Sequence, residues 1–163
     1  MMVLVIGPNG SGKSAAAERL ACDLHAAGQG DLVYLATMVP DGSDGQTRVA
    51  KHRLQRAGRG FTTVESPLGV VNPADVILLE DASNLLANYM FAQHDPAPLP
   101  ATLAQIDRLQ KSCRHLVVVS IGGLECQPEY DDGTRAYIDA LGQANAALRA
   151  NADQVIETSG GRA

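Results

Sequence analysis

One stretch near the N-terminus constrains this 163-residue chain more than any other: residues 7–14 read GPNGSGKS, a complete GxxxxGKS motif. The motif follows the apolar run VLVI at 3–6, which is typical of a buried parallel strand, and precedes an alanine-rich helical stretch. Glycines in such a loop let the backbone turn its amides inward around a phosphate. The order of strand, loop and helix therefore predicts a nucleoside triphosphate site.

Each position of the motif has an expected task. Lys13 is expected to reach the β- and γ-phosphate oxygens, and the Ser14 hydroxyl to ligate Mg²⁺ beside the positive N-terminal end of the helix. Three glycines, Gly7, Gly10 and Gly12, are expected to supply the backbone freedom. The alternative is a glycine-rich turn without a ligand, which a complete motif between a strand and a helix disfavours. The candidate nucleotide-binding residues of the loop are Gly7, Pro8, Asn9, Gly10, Ser11, Gly12, Lys13 and Ser14.

Length and composition predict one domain over residues 1–163. Hydrophobic residues make up 45% of the chain and charged residues 19%, and no apolar run approaches the roughly 20 residues of a membrane span. Because the N-terminus is itself the first predicted strand, we expect no signal peptide and a cytoplasmic location. The net charge of −5 argues against a nucleic-acid surface. Cys22, Cys113 and Cys126 lack CxxC spacing and are expected to be free thiols.

Strand-like and helix-like segments alternate along the chain. A first helix at about 14–27 and a second strand at 31–37 complete a βαβ unit, whose right-handed crossover implies a parallel sheet. The predicted fold is therefore α/β, a P-loop NTPase-like three-layer sandwich with a mostly parallel central sheet. The segment 94–100 has three prolines and is predicted to be an extended connector. Further strands are predicted at 61–65, 76–80, 115–120 and 154–158, and further helices at 47–57, 81–93, 101–113 and 133–151.

A carboxylate ends the apolar strand predicted at 76–80. Glu80 at this position fits the Walker B arrangement, in which an acid at the carboxyl end of a buried strand orients a magnesium ligand opposite the Ser14 hydroxyl. Asp81 is the second candidate. For both acids the alternative is a role at the N-terminus of the following helix, where acidic side chains are favoured, and for Asp81 that alternative is the better interpretation.

The helix predicted at 47–57 is the only strongly cationic element of the sequence. It follows a loop rich in Gly and Asp at the end of a predicted strand, so it is expected to border the nucleotide. His52 within it is a candidate nucleophile, because a neutral imidazole is nucleophilic near pH 7 and neighbouring cations stabilise charge on phosphates. The alternative is an exposed helix histidine. The basic and imidazole side chains of the cationic segment 48–59, which extends past the end of this helix, are Arg48, Lys51, His52, Arg53, Arg56 and Arg59.

Taken in order, these segments resemble the bifunctional adenosylcobinamide kinase/adenosylcobinamide-phosphate guanylyltransferase family of cobalamin biosynthesis. The resemblance covers nearly the whole chain and is carried by GPNGSGKS, LVYLAT, RVAKHR, GFTTVE, VILLEDASNLLANYMF and YIDALGQANAALRANADQVIET. It implies two reactions on a corrinoid substrate: phosphorylation of the aminopropanol hydroxyl of adenosylcobinamide, and transfer of GMP from GTP through a histidine phosphoramidate. It also implies a small α/β domain that assembles as a homotrimer.

The resemblance also implies roles for individual residues. The guanylylated histidine of the family lies in a segment like RIARHR, which matches residues 48–53 and places the nucleophile at His52, with Lys13 as the second catalytic residue. Glu80 falls on the strand-end acid of the family and Asn88 on an asparagine in the next helix. Glu65, which ends GFTTVE, is counted with Glu80 among the nucleotide-binding candidates. The implied cofactor is Mg²⁺, with GTP or ATP as substrate.

The departures from the family pattern are concentrated after the strand that ends near Val119. Where the family reads NEVGxGIVP, residues 120–128 read SIGGLECQP, so an Asn-Glu pair is lost. Further on, FRD…G…NQ becomes Tyr137-Ile138-Asp139, Gly142 and Asn145-Ala146. Two other interpretations therefore stay open: a diverged member that binds nucleotide as a regulatory or assembly protein, and an unrelated small-molecule P-loop kinase. Retention of both Lys13 and His52 favours the enzyme.

Overall fold

The computed structural model describes residues 1–25, 30–39 and 59–159. Within these ranges the chain forms six strands and four α-helices, and a π-helical turn at Asn88–Ala92 extends the second helix. The helix predicted at 47–57, with His52, lies outside the described residues. The elements are β1 Met2–Gly7, α1 Lys13–Leu24, β2 Leu32–Ala36, β3 Phe61–Glu65, β4 Ala74–Glu80, α2 Ala82–Ala87, α3 Pro98–Lys111, β5 Cys113–Ile121, α4 Asp132–Asn151 and β6 Gln154–Glu157.

The strands of the described residues form one parallel sheet in the order β3-β2-β4-β5-β1-β6. β1 lies between β5 and β6, with Gly7 opposite Ile121 and Ile6 opposite both Ser120 and Glu157. The crossover from β1 through α1 to β2 therefore passes over two strands, β5 and β4. All strands point the same way, so the loops that leave their carboxyl ends share one edge of the sheet.

Helices cover both faces of the sheet. Alternate residues of β1 point to opposite sides, so Val3 and Val5 pack with Ala17 and Ala21 of α1. Leu4 and its neighbours in the same register pack on the other face against α2, α3 and α4. The two central strands are buried on both sides, since the residues at 76–79 of β4 and 116–119 of β5 are all 0% exposed. This arrangement confirms the predicted α/β three-layer sandwich.

Two helix predictions are wrong at their ends. α1 ends at Leu24, because His25 already has extended backbone angles of φ −76° and ψ 121°. α3 begins at Pro98, inside the segment predicted to be an extended connector. Proline is tolerated in the first turn of a helix, where the missing N–H has no intrahelical acceptor, so the prolines at 98 and 100 begin this helix.

The predicted helix at 81–93 is also corrected in detail. The structure forms α2 at Ala82–Ala87 and then widens into the π-helical turn at Asn88–Ala92.

Among the helices in the described ranges, none combines the length and the hydropathy that a membrane crossing requires.

Candidate active site

The GxxxxGKS loop leaves the carboxyl end of β1 and leads directly into α1, as predicted. Gly10 and Gly12 have φ angles of 74° and 82°, the left-handed region that favours glycine. A Cβ atom built on either glycine would meet nothing within 4 Å, so the requirement for glycine at both positions is conformational. The loop closes through the Ser11 amide, which donates to the Pro8 carbonyl at 3.3 Å.

Gly7 is required for a different reason from the other two glycines. It is the last residue of β1 and does not adopt the left-handed conformation. A Cβ atom there would collide with the Thr158 hydroxyl and lie 2.6 Å from the Thr158 carbonyl oxygen. Thr158 follows β6 and also pairs its hydroxyl with Ser11 at 2.6 Å. The prediction that all three glycines supply backbone freedom is therefore wrong for Gly7, where the cause is a close approach of backbone.

Lys13 and Ser14 are the first residues of α1 and lie at the edge of the sheet where the strands end. Lys13 is 8% exposed, and its ammonium donates to the Pro8 carbonyl of its own loop at 3.3 Å. The Ser14 hydroxyl donates to Glu80 Oε1 at 2.6 Å, across from the end of β4. The structure thus brings together the serine and the strand-end acid that the sequence singled out as metal ligands.

Glu80 is held in a setting that disfavours its own negative charge. The pKa of its carboxyl is raised to about 8, chiefly by burial and also by the neighbouring Asp81 charge, while the hydrogen bond from Ser14 opposes the shift. Its second oxygen, Oε2, is buried without a hydrogen-bond partner in the part of the chain that the structure describes. A buried carboxylate oxygen without a partner carries a desolvation penalty that a nearby cation removes.

A divalent metal ion fits this donor set. Mg²⁺ prefers oxygen ligands, takes only one or two from protein carboxylates, and completes its shell with phosphate oxygens and water. Ser14 and Glu80 supply a hydroxyl and a carboxylate on facing elements. Over the described residues there is no cluster of three or more His, Cys, Asp or Glu side chains that could hold a metal ion by themselves.

Asp81 has the structural role that the helix pattern indicates. Its carboxylate accepts the Asn84 amide at 2.7 Å and is the N-cap of α2. Burial raises the pKa of this carboxyl, and the backbone hydrogen bond from Asn84 opposes that shift. The interpretation of Asp81 as a helix N-terminal acid is confirmed, since its side chain is committed to the start of α2.

Glu65 lies apart from this cluster. Ala36 of β2 is opposite Glu65 on one side and opposite Glu80 on the other, so the two acids are separated by one intervening strand. At the usual spacing between neighbouring strands, their backbones are roughly 10 Å apart along the edge of the sheet. The structure therefore does not bring Glu65 to Ser14, and its side chain is exposed at the end of the edge strand β3.

Thr37 and Asn88 connect the ends of neighbouring strands, and the sequence pattern alone assigns no role to either residue. Thr37 follows β2, is 0% exposed, and bonds through its hydroxyl to the backbone of Asp81. Asn88 donates from its side-chain amide to the carbonyls of Thr37 and Pro67, each at 2.8 Å. The resemblance draws attention to Asn88 and includes Thr37 in the segment LVYLAT, but no sequence signal assigns a role to that threonine.

The segment that departs from the family pattern is held by a hydrogen-bond network of its own. Ser120 donates to Asn145 Oδ1 at 2.6 Å, and Asn145 donates from Nδ2 to the Ile121 carbonyl at 3.0 Å. Ser83 accepts the Ile121 amide at 2.9 Å. The next amide, that of Gly122, donates to the Gly7 carbonyl at 3.0 Å. We call Ser83, Ser120 and Asn145 the β5–α4 network; it connects two helices to the first residue of the GxxxxGKS loop.

The cationic segment is only partly described by the structure. Arg59 is its one described member and forms an ion pair at 3.3 Å with Glu18, a buried side chain of α1. His52 and the other four basic residues lie outside the described ranges. The remaining histidines have local partners or positions elsewhere: His25 Nε2 lies 2.7 Å from the Gly30 carbonyl oxygen, and His115 Nε2 lies 2.8 Å from Arg114.

The parallel sheet, the GxxxxGKS loop at the end of β1 and the serine–acid pair at its mouth define a P-loop NTPase-like α/β protein. A model of the cobinamide kinase / cobinamide phosphate guanyltransferase family matches residues 3–163 of the chain. The chain therefore belongs to this family. A search of curated proteins gave no match.

Membership of the family confirms the prediction of an enzyme. The chain is a phosphotransferase and nucleotidyltransferase of cobalamin biosynthesis, and its substrates are a nucleotide and a cobinamide. Because the match extends over nearly the whole chain, it excludes the alternative of an unrelated small-molecule kinase.

Proposed function

We propose that one P-loop site binds the triphosphate for both reactions of the family, with Lys13, Ser14 and Glu80 as its central residues. The observation that carries this proposal is the hydrogen bond between Ser14 and the half-buried Glu80, 2.6 Å long, beside Lys13, which is buried. A cation and two oxygen ligands at the mouth of a glycine-rich loop are the groups that a triphosphate requires.

Lys13 is the proposed phosphate ligand of the site. Its present hydrogen bond to the Pro8 carbonyl is long, at 3.3 Å, and joins it to a neutral acceptor. A bond from the ammonium to an anionic phosphate oxygen, in which both partners are charged, is stronger than its bond to a neutral carbonyl. Exchange of the Pro8 carbonyl for β- and γ-phosphate oxygens is therefore favourable, and it releases the loop to close around the anion.

Ser14 and Glu80 are the proposed residues that hold Mg²⁺ together with the nucleotide. The unpartnered Oε2 of Glu80 supports this assignment, because a cation removes the penalty for its burial. When bound, the ion neutralises charge that develops on the transferring phosphate. In the kinase reaction the aminopropanol hydroxyl oxygen attacks the γ-phosphorus. A new P–O bond forms, the bond to the nucleoside diphosphate breaks, and the hydroxyl proton is released to solvent.

His52 is the proposed nucleophile of the guanylyl transfer. A neutral imidazole nitrogen attacks the α-phosphorus of GTP, so a P–N bond forms and the bond to pyrophosphate breaks. A phosphate oxygen of the cobinamide phosphate then attacks the same phosphorus and the P–N bond breaks, which returns the imidazole. This assignment rests on the match of residues 48–53 to the histidine segment of the family, and His52 lies outside the described residues.

Covalent labelling tests the guanylyl transfer. Incubation with GTP labelled at the α-phosphate and with Mg²⁺ is expected to give a GMP adduct that is acid-labile and base-stable, as a phosphoramidate is. His52→Ala should lose the adduct and keep its affinity for GTP, while the control His94→Ala should keep both. Absence of the adduct in the wild type, or its survival in His52→Ala, would remove His52 from the mechanism, and the first result would favour a kinase or a nucleotide binder.

We also propose a cytoplasmic homotrimer that does not bind nucleic acid. The net charge of −5 supports the last point, and the family resemblance supports the trimer. Light scattering coupled to size-exclusion chromatography measures the mass of the assembly. A trimer should have three times the chain mass of 17.1 kDa.

A further inference from the structure

One neighbouring residue, Thr37, forms several hydrogen bonds with the backbone that carries Glu80. The Thr37 amide donates to the Glu80 carbonyl at 3.1 Å. The Thr37 hydroxyl accepts the Asp81 amide at 2.9 Å and donates to the Asp81 carbonyl, also at 2.9 Å. Thr37 therefore binds the chain on both sides of the peptide between Glu80 and Asp81, at the point where β4 ends and the N-cap of α2 begins.

Thr37 is itself held in place. Its carbonyl accepts the Asn88 side-chain amide at 2.8 Å, and the same amide also bonds to Pro67 after β3. The side chain is 0% exposed, so no water replaces its hydroxyl at the buried Asp81 amide. An isosteric side chain without a hydroxyl would leave that amide without a partner, which favours a displacement of the peptide.

A displacement of this peptide moves the Glu80 side chain. The carboxylate meets the Ser14 hydroxyl at 2.6 Å from the opposite element, and a hydrogen bond weakens steeply when its geometry is distorted. The buried Oε2 has no hydrogen-bond partner among the described residues, so the bond from Ser14 is the hydrogen bond that orients the carboxylate there. The position of the acid relative to Ser14 thus depends on the Thr37 hydroxyl.

We propose that Thr37 is a positioning residue that acts through Glu80. It holds the carboxylate in the place where Ser14 and Glu80 together receive the divalent cation of the bound nucleotide. This inference rests on the proposed role of Glu80 as a metal ligand. The role requires the hydroxyl of Thr37, and its methyl group is dispensable.

Equilibrium binding tests the inference without dependence on turnover. The dissociation constant of a fluorescent GTP analogue is measured once with Mg²⁺ and once with EDTA. The value in EDTA divided by the value with Mg²⁺ is the ratio that reports the contribution of the metal. In Thr37→Val the ratio should fall about tenfold, as expected when a buried amide loses its partner, while the affinity in EDTA stays unchanged. In Thr37→Ser, which keeps the hydroxyl, the ratio should stay close to that of the wild type.

Thr102→Val is the matched control. Thr102 is also a 0% exposed threonine, and its hydroxyl donates to the Pro98 carbonyl within α3 and not to the backbone of Glu80 or Asp81. The same change of hydroxyl to methyl there should leave the ratio unchanged. A general loss of packing would affect both valine variants and would also weaken binding in EDTA.

A double-mutant cycle separates this inference from the proposed function. If Thr37 acts through Glu80, Thr37→Val should cause no further fall of the ratio in a Glu80→Gln background. An unchanged ratio in Glu80→Gln alone would contradict the metal role of Glu80, and with it the basis of the proposal. A reduced ratio in Glu80→Gln together with a normal ratio in Thr37→Val, or an additive loss in the double variant, would overturn the role of Thr37 alone.

The comparison does not depend on the stability of one variant. If Thr37→Val lacks a cooperative thermal transition, Thr37→Cys takes its place and is compared with Thr37→Ser, from which it differs only in sulfur for oxygen. A thiol is a weak hydrogen-bond donor and acceptor, so the ratio should again fall in the cysteine variant. Equal ratios for the serine and cysteine variants would overturn the proposal.

Discussion

Among single residues, Lys13 has an environment unlike that of an ordinary surface lysine. It is 8% exposed at the first turn of α1, and its ammonium has only a 3.3 Å hydrogen bond to the Pro8 carbonyl among the contacts described. We expect Lys13→Ala to fold normally and to bind GTP at least about 100-fold more weakly, because charge-assisted bonds to two phosphate groups are lost. Calorimetric titration measures the affinity.

The control for this variant is Lys111→Ala. Lys111 lies at the end of α3 with 77% of its side chain exposed and pairs with Asp107 on the same helix. The two variants remove the same charge from the chain, so a general electrostatic effect would weaken both equally. Near-normal GTP affinity in a folded Lys13→Ala protein would contradict the phosphate role.

Two glycines of the chain should respond in opposite ways to the same substitution. Gly7→Ala places a methyl group against the Thr158 backbone and should destabilise the fold by about 1–3 kcal/mol, as overpacking does. Gly142→Ala lies within α4 with open space around the added methyl group, and should stabilise by about 0.5–1 kcal/mol. Urea denaturation of both variants measures the difference, and equal effects would show that the Thr158 contact does not restrict Gly7.

At the level of elements, the β5–α4 network connects α4 and α2 to the end of β5. Asn145→Leu keeps the approximate shape of the side chain and leaves the buried Ser120 hydroxyl without its acceptor. We expect a loss of about 1–3 kcal/mol in the free energy of unfolding. The exposed Gln143→Leu on the same helix serves as the control and should change stability little.

The same element carries a consequence for the nucleotide site. The Gly122 amide, next to the Ile121 carbonyl that Asn145 holds, donates to the Gly7 carbonyl at the start of the GxxxxGKS loop. Asn145→Leu should therefore also weaken binding of a GTP analogue, whereas Gln143→Leu should not. Normal affinity in a destabilised Asn145→Leu protein would mean that the network stabilises the fold without positioning the loop.

For the whole molecule, nucleotide and fold stability should be coupled. A ligand that binds only the folded state at 100 times its dissociation constant stabilises it by about 2.7 kcal/mol. For a chain of this size, that corresponds to a rise of roughly 5–11 °C in Tm. We expect this rise with GTP and Mg²⁺, a smaller rise when EDTA removes the metal, and a rise of at most about 1–2 °C in Lys13→Ala. An unchanged Tm of the wild type on addition of the nucleotide would contradict a P-loop site.

The sequence by itself determined the features that depend on neighbours along the chain. The GxxxxGKS spacing, the apolar run before it and the helical stretch after it predict β1, the loop and α1, because a strand and a phosphate loop are specified by a dozen consecutive residues. The acid at the end of β4 is predicted in the same way, and Asp81 by its place before a helix. The pattern of alternating segments was sufficient for the parallel α/β fold and, with the resemblance, for the family.

Only the tertiary structure decided which strand ends lie side by side. The sequence counts Glu65 and Glu80 together, but the strand order places one strand between them and puts Glu80 opposite Ser14. The close approach of Thr158, which follows β6, makes glycine necessary at position 7 of β1. Thr37, which follows β2, bonds to the backbone of Glu80 at the end of β4. These contacts depend on the spatial order of the strands in the sheet. The sequence does not reveal that order, because a parallel strand has the same local pattern in any position of the sheet.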